Sequence, residues 1–249
     1  MYGFVRLLGL DFADVSTKSA AALLASRTAT APFTYVVTPN ADHLARLRRR
    51  PELRPLYEHA KLRLLDSRVV ALMARAIGFP TPQVVPGSDL TEALLRHHLA
   101  TGERVTIIGL KSEWLPQLVA RCGITPPAHY DPPRGFEHNP EMMKSAVDFV
   151  LAHPARFIFL AVGSPRQEML ADAIRGSGCA TGVGLCVGAS LEFLAGARRR
   201  APQWMQRCDL EWLFRLASDP LRMAHRYLVD SPAVIPMLLR ERLSALGSR

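Results

Sequence analysis

Residues 156–168 read R-F-I-F-L-A-V-G-S-P-R-Q-E, and this stretch decides the fold class. Phe157 to Val162 is a short, unbroken apolar run, which is typical of a strand that is covered on both faces. The run stops at Gly163 in a polar turn, and an apolar-periodic stretch from Met169 to Ile174 follows. The pattern therefore predicts a strand, a tight turn and a helix.

The turn in this unit has the features of an anion site. Ser164 can cap the helix, Pro165 suits the first helical position, and the unpaired amides at the helix start face a point just beyond the strand. Ligands of open α/β sheets bind at that edge. An ordinary turn in which Ser-Pro only caps the helix explains the same residues, so both interpretations stay open for this stretch alone.

Strand and helix signals alternate along most of the chain. We predict further strands, each followed by a polar turn and a helix, over residues 4–10, 34–37, 62–65, 104–110 and 180–187. Such alternation predicts a mostly parallel, doubly wound α/β sheet with helices on both faces. The proline-rich residues 125–139 are expected to form a surface loop near the ligand, and a helix is expected over 140–152.

The composition is that of a globular protein. With 249 residues, 49% hydrophobic and 21% charged, the chain can form one large α/β domain with a small appended piece. No apolar run approaches the ~18 residues of a membrane-spanning helix, and the N-terminus lacks the cleavage region of a signal peptide, so we expect a cytoplasmic protein. Four cysteines without C-x-x-C spacing are expected to be buried small hydrophobes, not zinc ligands or disulfides. They are Cys122, Cys179, Cys186 and Cys208.

The charge indicates an anionic partner. The formal net charge is +9 and the isoelectric point is near 9.9. Nucleic acid, an acidic membrane face and a phosphorylated substrate all satisfy this balance, and charge alone does not choose among them.

Polar residues follow several of the predicted strands. Thr38 and Asn40 could hydrogen-bond a sugar or ribose, although Asn40 could equally be only a helix cap. Asp66 ends the strand over 62–65, either as an N-cap or as a functional carboxylate at the ligand edge. Ser88 and Asp89, in G-S-D-L, are cap candidates with phosphate or sugar binding as the alternative. The chain has no dinucleotide G-x-G-x-x-G, no Walker motif and no G-x-S-x-G elbow, which disfavours dehydrogenase and serine hydrolase chemistry.

The composition changes after Leu191, where strand signals end and arginines interleave with apolar residues. We predict a catalytic domain over 1–197 and a helical, basic appendage over 198–249 that associates with an anionic membrane. Arg222 and Arg226 lie one helical turn apart and could grip phosphate together, or form a solvated basic face. The apolar residues expected at the membrane are Trp204, Trp212, Val234, Ile235, Leu238 and Leu239.

Taken together, the motifs resemble the WecG/TagA/CpsF family of bacterial glycosyltransferases, glycosyltransferase family 26. The resemblance covers nearly the whole chain in order. It rests on T-P-N in 38–40, the aspartate at 66, G-S-D-L in 87–90, G-S-P-R-Q-E in 163–168, A-G in 195–196, R-A-P-Q-W in 200–204, L-E-W-L-F-R-L in 210–216 and D-P-L-R-M-A-H-R-Y in 219–227.

The resemblance implies a Rossmann-like domain that transfers a sugar from a nucleotide-sugar to a polyprenyl-diphosphate-linked acceptor without metal, with a C-terminal appendage that reaches the membrane. It also implies that Thr38, Asn40, Asp66 and Gln167 occupy active-site positions. Two departures stand out, since Ser67 replaces the family's usual glycine after the aspartate and Leu191-Glu192 replaces a Phe-Asp pair.

For the chemistry we expect Asp66 to be the general base of an inverting transfer, with no cofactor and no metal because the chain lacks a D-x-D motif. The leaving diphosphate is expected to be held by amides at Gly163 and Ser164 and by the C-terminal arginines. The full set of expected substrate-binding residues is Ser88, Asp89, Gly163, Ser164, Arg166, Glu168, Glu192, Arg222 and Arg226. The alternative is a non-catalytic nucleotide or nucleic-acid binding protein, which is disfavoured because the basic residues form no recognised nucleic-acid motif. The oligomeric state stays open.

Overall fold

A six-stranded parallel sheet forms the centre of the protein in the computed structural model, which describes residues 2–202, 205, 211–218 and 231–247. The strands are β1 (Gly3–Leu7), β2 (Leu10–Asp14), β3 (Thr34–Val37), β4 (Leu62–Arg63), β5 (Thr106–Gly109), β6 (Ala128–Tyr130), β7 (Phe157–Ala161) and β8 (Val183–Cys186). Their order in the main sheet is β4-β3-β8-β7-β5-β6, and every neighbouring pair is parallel. β1 and β2 form a separate antiparallel pair.

Helices cover both faces of the sheet. They are α1 (Thr17–Ala25), α2 (Ala41–Arg49), α3 (Arg54–Glu58), α4 (Arg68–Ala76), α5 (Gly87–His97), α6 (Leu115–Cys122), α7 (Pro140–Ala152), α8 (Arg166–Gly176), α9 (Ser190–Ala195), α10 (Glu211–Ser218) and α11 (Ser231–Gly247). Short 3₁₀ turns occur at Pro51–Leu53, Ser112–Trp114 and Phe136–His138. The predicted α/β, Rossmann-like class is confirmed.

Strand β7 lies in the middle of the sheet and is apolar at every position. Phe157 and Phe159 pack into the core shared with α1, α5, α6 and α9, whereas Ile158 and Leu160 pack into the opposite core. Successive side chains of a strand point to opposite faces, so a strand with helices on both sides needs an apolar residue at every position. Each such side chain stabilises the fold by about 1.5–3 kcal/mol when buried.

The N-terminal region differs from the prediction. Residues 4–10 were expected to form one strand of a first strand-helix unit, but the chain turns back at Leu8 and Gly9. Both residues have left-handed backbone angles, with φ of 52° and 72°. Two successive positive φ values suit the tight turn of a hairpin, so β1 and β2 pair with each other instead of joining the main sheet.

Two further boundaries differ. The residues expected to be a loop over 125–139 contain β6, a three-residue edge strand that is too short to give a clear sequence signal. Helix α5 begins at Gly87, with Pro86 as its N-cap, so Ser88 and Asp89 lie in its first turn and do not cap it.

The C-terminal helix α11 packs against α2 and α4. Val234 and Leu238 are 0% exposed and join the core on that face, which corrects the expectation that they meet a membrane. They lie four residues apart, so they share the inner face of the helix. Trp204, Arg222 and Arg226 lie outside the described residues, as does the side chain of Trp212. Within the described part of the chain, no helix has the length and hydropathy needed to cross a membrane.

The cysteine prediction holds for two residues. Cys122 and Cys186 are buried free thiols, whereas Cys179 is exposed, contrary to expectation. Cys208 lies outside the described residues.

Candidate active site

Two adjoining cavities lie beyond the carboxyl ends of the parallel strands. The smaller has a volume of about 250 Å³ and the larger about 460 Å³. Both are lined by Gly163 and Arg166, which follow β7, and by Gly188 and Ala189, which follow β8. Because these strands are neighbours in the sheet, the two loops form a shared boundary between the cavities.

The smaller cavity brings together the predicted catalytic residues. Thr38 and Asn40 follow β3, and Asp66 follows β4, its neighbour in the sheet. A methyl group built on Gly87 would lie 2.9 Å from Thr38 Oγ1 and 3.6 Å from both Asp66 Oδ2 and Ser190 Oγ. Hydroxyl and carboxylate oxygens from three separate segments thus surround the Gly87 position at the sheet edge.

Helix capping occupies the side chain of Asn40 but not that of Asp66. The N-cap of α4 is Ser67, whose hydroxyl accepts from the backbone N–H of Val70 at 3.2 Å, so Asp66 is not the cap. Asn40 does cap α2, since its Oδ1 accepts from the backbone N–H of Asp42 at 3.1 Å. The cap uses the oxygen of Asn40, which leaves the amide nitrogen as the group that can meet a ligand.

Ser164 has a different role from the predicted cap. Helix α8 begins at Arg166, its N-cap is Pro165, and no side chain caps it. Instead, Arg46 Nη1 donates to Ser164 Oγ at 2.8 Å, while Arg46 Nη2 pairs with Asp42 Oδ2 at 2.7 Å. Arg46 also lines the smaller cavity. The sequence interpretation missed this cation, although its position four residues after Asp42 is a recognisable ion-pair spacing.

Gln167 and Glu168 lie deeper. Gln167 is 2% exposed but reaches the smaller cavity, and its Oε1 accepts from the backbone N–H of Gly188 at 2.9 Å. Its Nε2 donates to Glu168 Oε1, also at 2.9 Å. Glu168 is 1% exposed and lines neither cavity, so its carboxyl lies behind the wall and not at the substrate surface expected from the sequence. Burial is the main reason that the pKa of this carboxyl is raised.

The larger cavity carries an excess of cationic side chains. Its wall includes residues 131–134 and Phe136 of the 125–139 segment. Glu192, also a predicted site residue, forms an ion pair with Arg198 at this cavity. The charged residues of the lining are Lys111, Asp131, Arg134, Arg166, Glu192 and Arg198. Four cations against two carboxylates suit a ligand with phosphate groups.

The remaining predicted site residues divide into three cases. Ser88 lines the smaller cavity. Asp89 lines neither of the two cavities and instead forms an ion pair with Arg200, which ties the G-S-D-L helix to the R-A-P segment. Arg222 and Arg226 lie outside the described residues. Among the residues that are described, no group of three or more His, Cys, Asp or Glu side chains could hold a metal ion.

A family model described as "Glycosyl transferase WecG/TagA/CpsF family" matches residues 5–247, nearly the full length of the chain. The match includes both strand-end cavities and every element of the main sheet. It supports the same family that the order of sequence motifs indicates, and it makes the protein an enzyme rather than a passive binding module. The chain therefore belongs to the WecG/TagA/CpsF family of glycosyltransferases.

Proposed function

We propose that the enzyme is an inverting, metal-independent glycosyltransferase that moves a sugar from a nucleotide-sugar, with UDP as the expected nucleotide, to a polyprenyl-diphosphate-linked acceptor. The expected pathway is the biosynthesis of a bacterial cell-surface or extracellular polysaccharide. The observation that carries this proposal is the placement of Asp66 and Thr38 in a cavity that shares its boundary with a larger, cationic one.

The two cavities suggest separate places for donor and acceptor. The larger cavity has the volume of a small-molecule site and a cationic lining, which fit the nucleoside diphosphate of the donor. The acceptor sugar then occupies the smaller cavity, where Thr38 and Asn40 offer a hydroxyl and an amide for hydrogen bonds. The anomeric carbon lies between them, at the boundary formed by Gly163 and Gly188.

Asp66 acts as general base in this scheme. It takes the proton of the acceptor hydroxyl as the hydroxyl oxygen bonds to the anomeric carbon and the bond from that carbon to the diphosphate oxygen breaks. The diphosphate leaves with its negative charge, which needs stabilisation by cations and N–H donors. Arg166 and the amides at Gly163 and Ser164, which line the cavities, are candidates for this role, and Arg222 and Arg226 are proposed to join them.

The outer face of α11 supports attachment to the inner face of the cell membrane, where a polyprenyl acceptor resides. Ile235, Leu239 and Leu243 recur every four residues, so they share one side of the helix, and their exposed fractions are 37%, 46% and 68%. Arginines occur beside this stripe, at positions 240 and 242. An exposed apolar stripe with flanking cations fits a helix that lies on an anionic leaflet.

A panel of nucleotide-sugars, incubated with the protein and a labelled lipid-linked acceptor, tests the proposal. Thin-layer analysis should show a lengthened acceptor and release of nucleoside diphosphate with one donor, and a chelator should not change the rate. Tight binding of nucleotide, RNA or DNA without turnover for any donor would contradict it. A strict need for added magnesium or manganese would contradict the metal-independent mechanism.

A further inference from the structure

A buried chain of hydrogen bonds connects Glu168 to the boundary of the two cavities. Glu168 Oε1 accepts from Gln167 Nε2, and Gln167 Oε1 accepts from the backbone N–H of Gly188, both at 2.9 Å. Gly188 lines both cavities. These hydrogen bonds therefore join the first turn of α8 to the turn after β8, at the place where donor and acceptor would meet.

The chemistry of the partners fixes the direction of this chain. A backbone N–H only donates, so Gln167 must turn its oxygen toward Gly188 and its NH₂ group toward residue 168. Residue 168 must in turn present an acceptor. Without that acceptor, the buried Nε2 group of Gln167 would be unpaired and the side chain would no longer be held in this orientation. Its hydrogen bond with the Gly188 backbone would then weaken.

The surroundings of Glu168 favour its neutral form. The carboxyl is buried next to Tyr57 and Cys186, which are themselves 1% exposed, and Arg46 is the nearby cation. Its second oxygen, Oε2, is buried and accepts no well-formed hydrogen bond from the described residues, although the Ser164 hydroxyl also interacts with the carboxyl. A neutral carboxyl keeps a carbonyl oxygen for Gln167 and needs no ion pair, whereas a carboxylate would lose more solvation than Gln167, Ser164 and Arg46 restore.

We propose that Glu168 is a positioning residue that works as a hydrogen-bond acceptor, holding Gln167 and through it the main chain of Gly188 at the junction of the donor and acceptor cavities. The expected effect on substrate binding rests on the proposed function, whereas the expected effect on the Gly188 backbone does not. Glu168 itself touches neither ligand. The expected consequence of losing the acceptor is a loosened cavity boundary.

Two substitutions separate this role from simple filling of space. Glu168→Gln keeps a carbonyl acceptor and is neutral, so it should protect the Gly188 amide from hydrogen exchange as the wild type does. Glu168→Leu fills similar space without an acceptor, and should speed exchange at Gly188 by 10-fold or more. Gln167→Met removes the chain from its other end, and should give the same faster exchange if Glu168→Leu fails to fold. Glu141→Leu, on the exposed surface of α7, is the matched control and should change nothing at Gly188.

The kinetic readout follows the same division. Glu168→Gln should keep KM for the nucleotide-sugar within about twofold, whereas Glu168→Leu should raise it about 10-fold with a smaller change in kcat. Exchange at Gly188 that is equally slow in the folded Glu168→Leu or Gln167→Met variant, or equally fast in Glu168→Gln and Glu168→Leu, overturns the inference. The exchange measurement needs no turnover, so it remains decisive even if the glycosyltransferase assay finds no donor.

Discussion

Asp66 is the residue on which the proposed chemistry depends most. It lies at the carboxyl edge of the sheet, its backbone N–H bonds Pro39 O at 2.9 Å, and it lines the smaller cavity with Thr38 and Asn40. Because Ser67 supplies the helix cap, helix α4 does not need the Asp66 carboxylate for that purpose.

We therefore expect Asp66→Asn to keep the fold and donor binding but to lower turnover by about 100-fold or more, the usual scale for losing a general base. Transfer is measured with the lipid-linked acceptor, and donor affinity by calorimetry. Wild-type turnover in this variant would remove Asp66 from the mechanism.

Gly87 tests how tightly the catalytic cavity is packed. An alanine methyl group at this position would lie 2.9 Å from Thr38 Oγ1, a buried hydroxyl, so one of the two groups must shift. We expect Gly87→Ala to cost about 1–3 kcal/mol of unfolding free energy, and to slow transfer by about 10- to 100-fold through misplacement. Denaturant titration and the transfer assay measure the two effects.

The matched control is Gly176→Ala. Gly176 is the last residue of α8, has open space around its Cα and has no positive φ, so alanine should fit there without loss of either quantity. If Gly87→Ala loses no more unfolding free energy and transfer activity than Gly176→Ala, the methyl group at position 87 does not displace Thr38.

We expect Glu168 to contribute to the pH dependence of the unfolding free energy. An unfolded glutamate titrates near 4.5, and burial raises the pKa in the folded protein. The stability that comes from keeping this group neutral is present below pH 4.5 and is lost as pH rises through the raised pKa. Glu168→Gln cannot ionise, so its unfolding free energy should increase relative to that of the wild type as the pH rises. Denaturant titrations across this range measure the difference, and a pH-independent difference would show that Glu168 does not titrate in this way.

At the scale of elements, α11 has two distinct faces. Val234 and Leu238 contribute to the core beside α2 and α4, and Glu241 Oε2 accepts from the backbone N–H of Leu8 at 2.8 Å. Arg242 also donates to Ile77 O. Removing the chain from Arg198 onward would therefore expose core residues as well as remove the membrane face, so point substitutions give a cleaner test than truncation.

The outer face of the same helix supplies those substitutions. Leu239→Gln combined with Leu243→Gln should weaken binding to anionic vesicles by about 100-fold or more, because each buried leucine contributes about 1.5–3 kcal/mol. Both side chains are exposed, so the melting temperature should stay near that of the wild type. Met142→Gln, on α7, is the control at a different exposed site. Unchanged co-sedimentation of the double variant would exclude this face as the membrane contact.

At the scale of the whole molecule, the net charge of +9 acts alongside that apolar face. Each cation near an anionic leaflet contributes about 1 kcal/mol, and salt reduces the range of the attraction from about 10 Å at 0.1 M to about 3 Å at 1 M. The fraction of protein that sediments with anionic vesicles should therefore fall steeply as salt rises, and binding to neutral vesicles should be weak throughout. Binding that ignores both salt and lipid charge would show that the net charge has no part in attachment.

The sequence by itself determined the fold class and much of its layout, because local periodicity records which side chains must be buried. The strand over Thr34–Val37 and the helix over Pro140–Ala152 have the predicted bounds, and Asp66 follows a strand as expected. Motif order indicated the family, and the family model agrees. These features depend on neighbours along the chain, which a sequence contains directly.

Only the tertiary structure decided which distant groups meet. Arg46 bonds Ser164 across 118 residues, Glu168 turned out to be buried behind Gln167, and Val234 and Leu238 joined the core instead of a membrane face. A serine before a helix can cap it or accept a hydrogen bond from an arginine, and the two options have similar free energies. An apolar residue can likewise be buried against protein or against lipid. The choice depends on strand order and on which helix packs beside which, and no local pattern in the sequence specifies those distances.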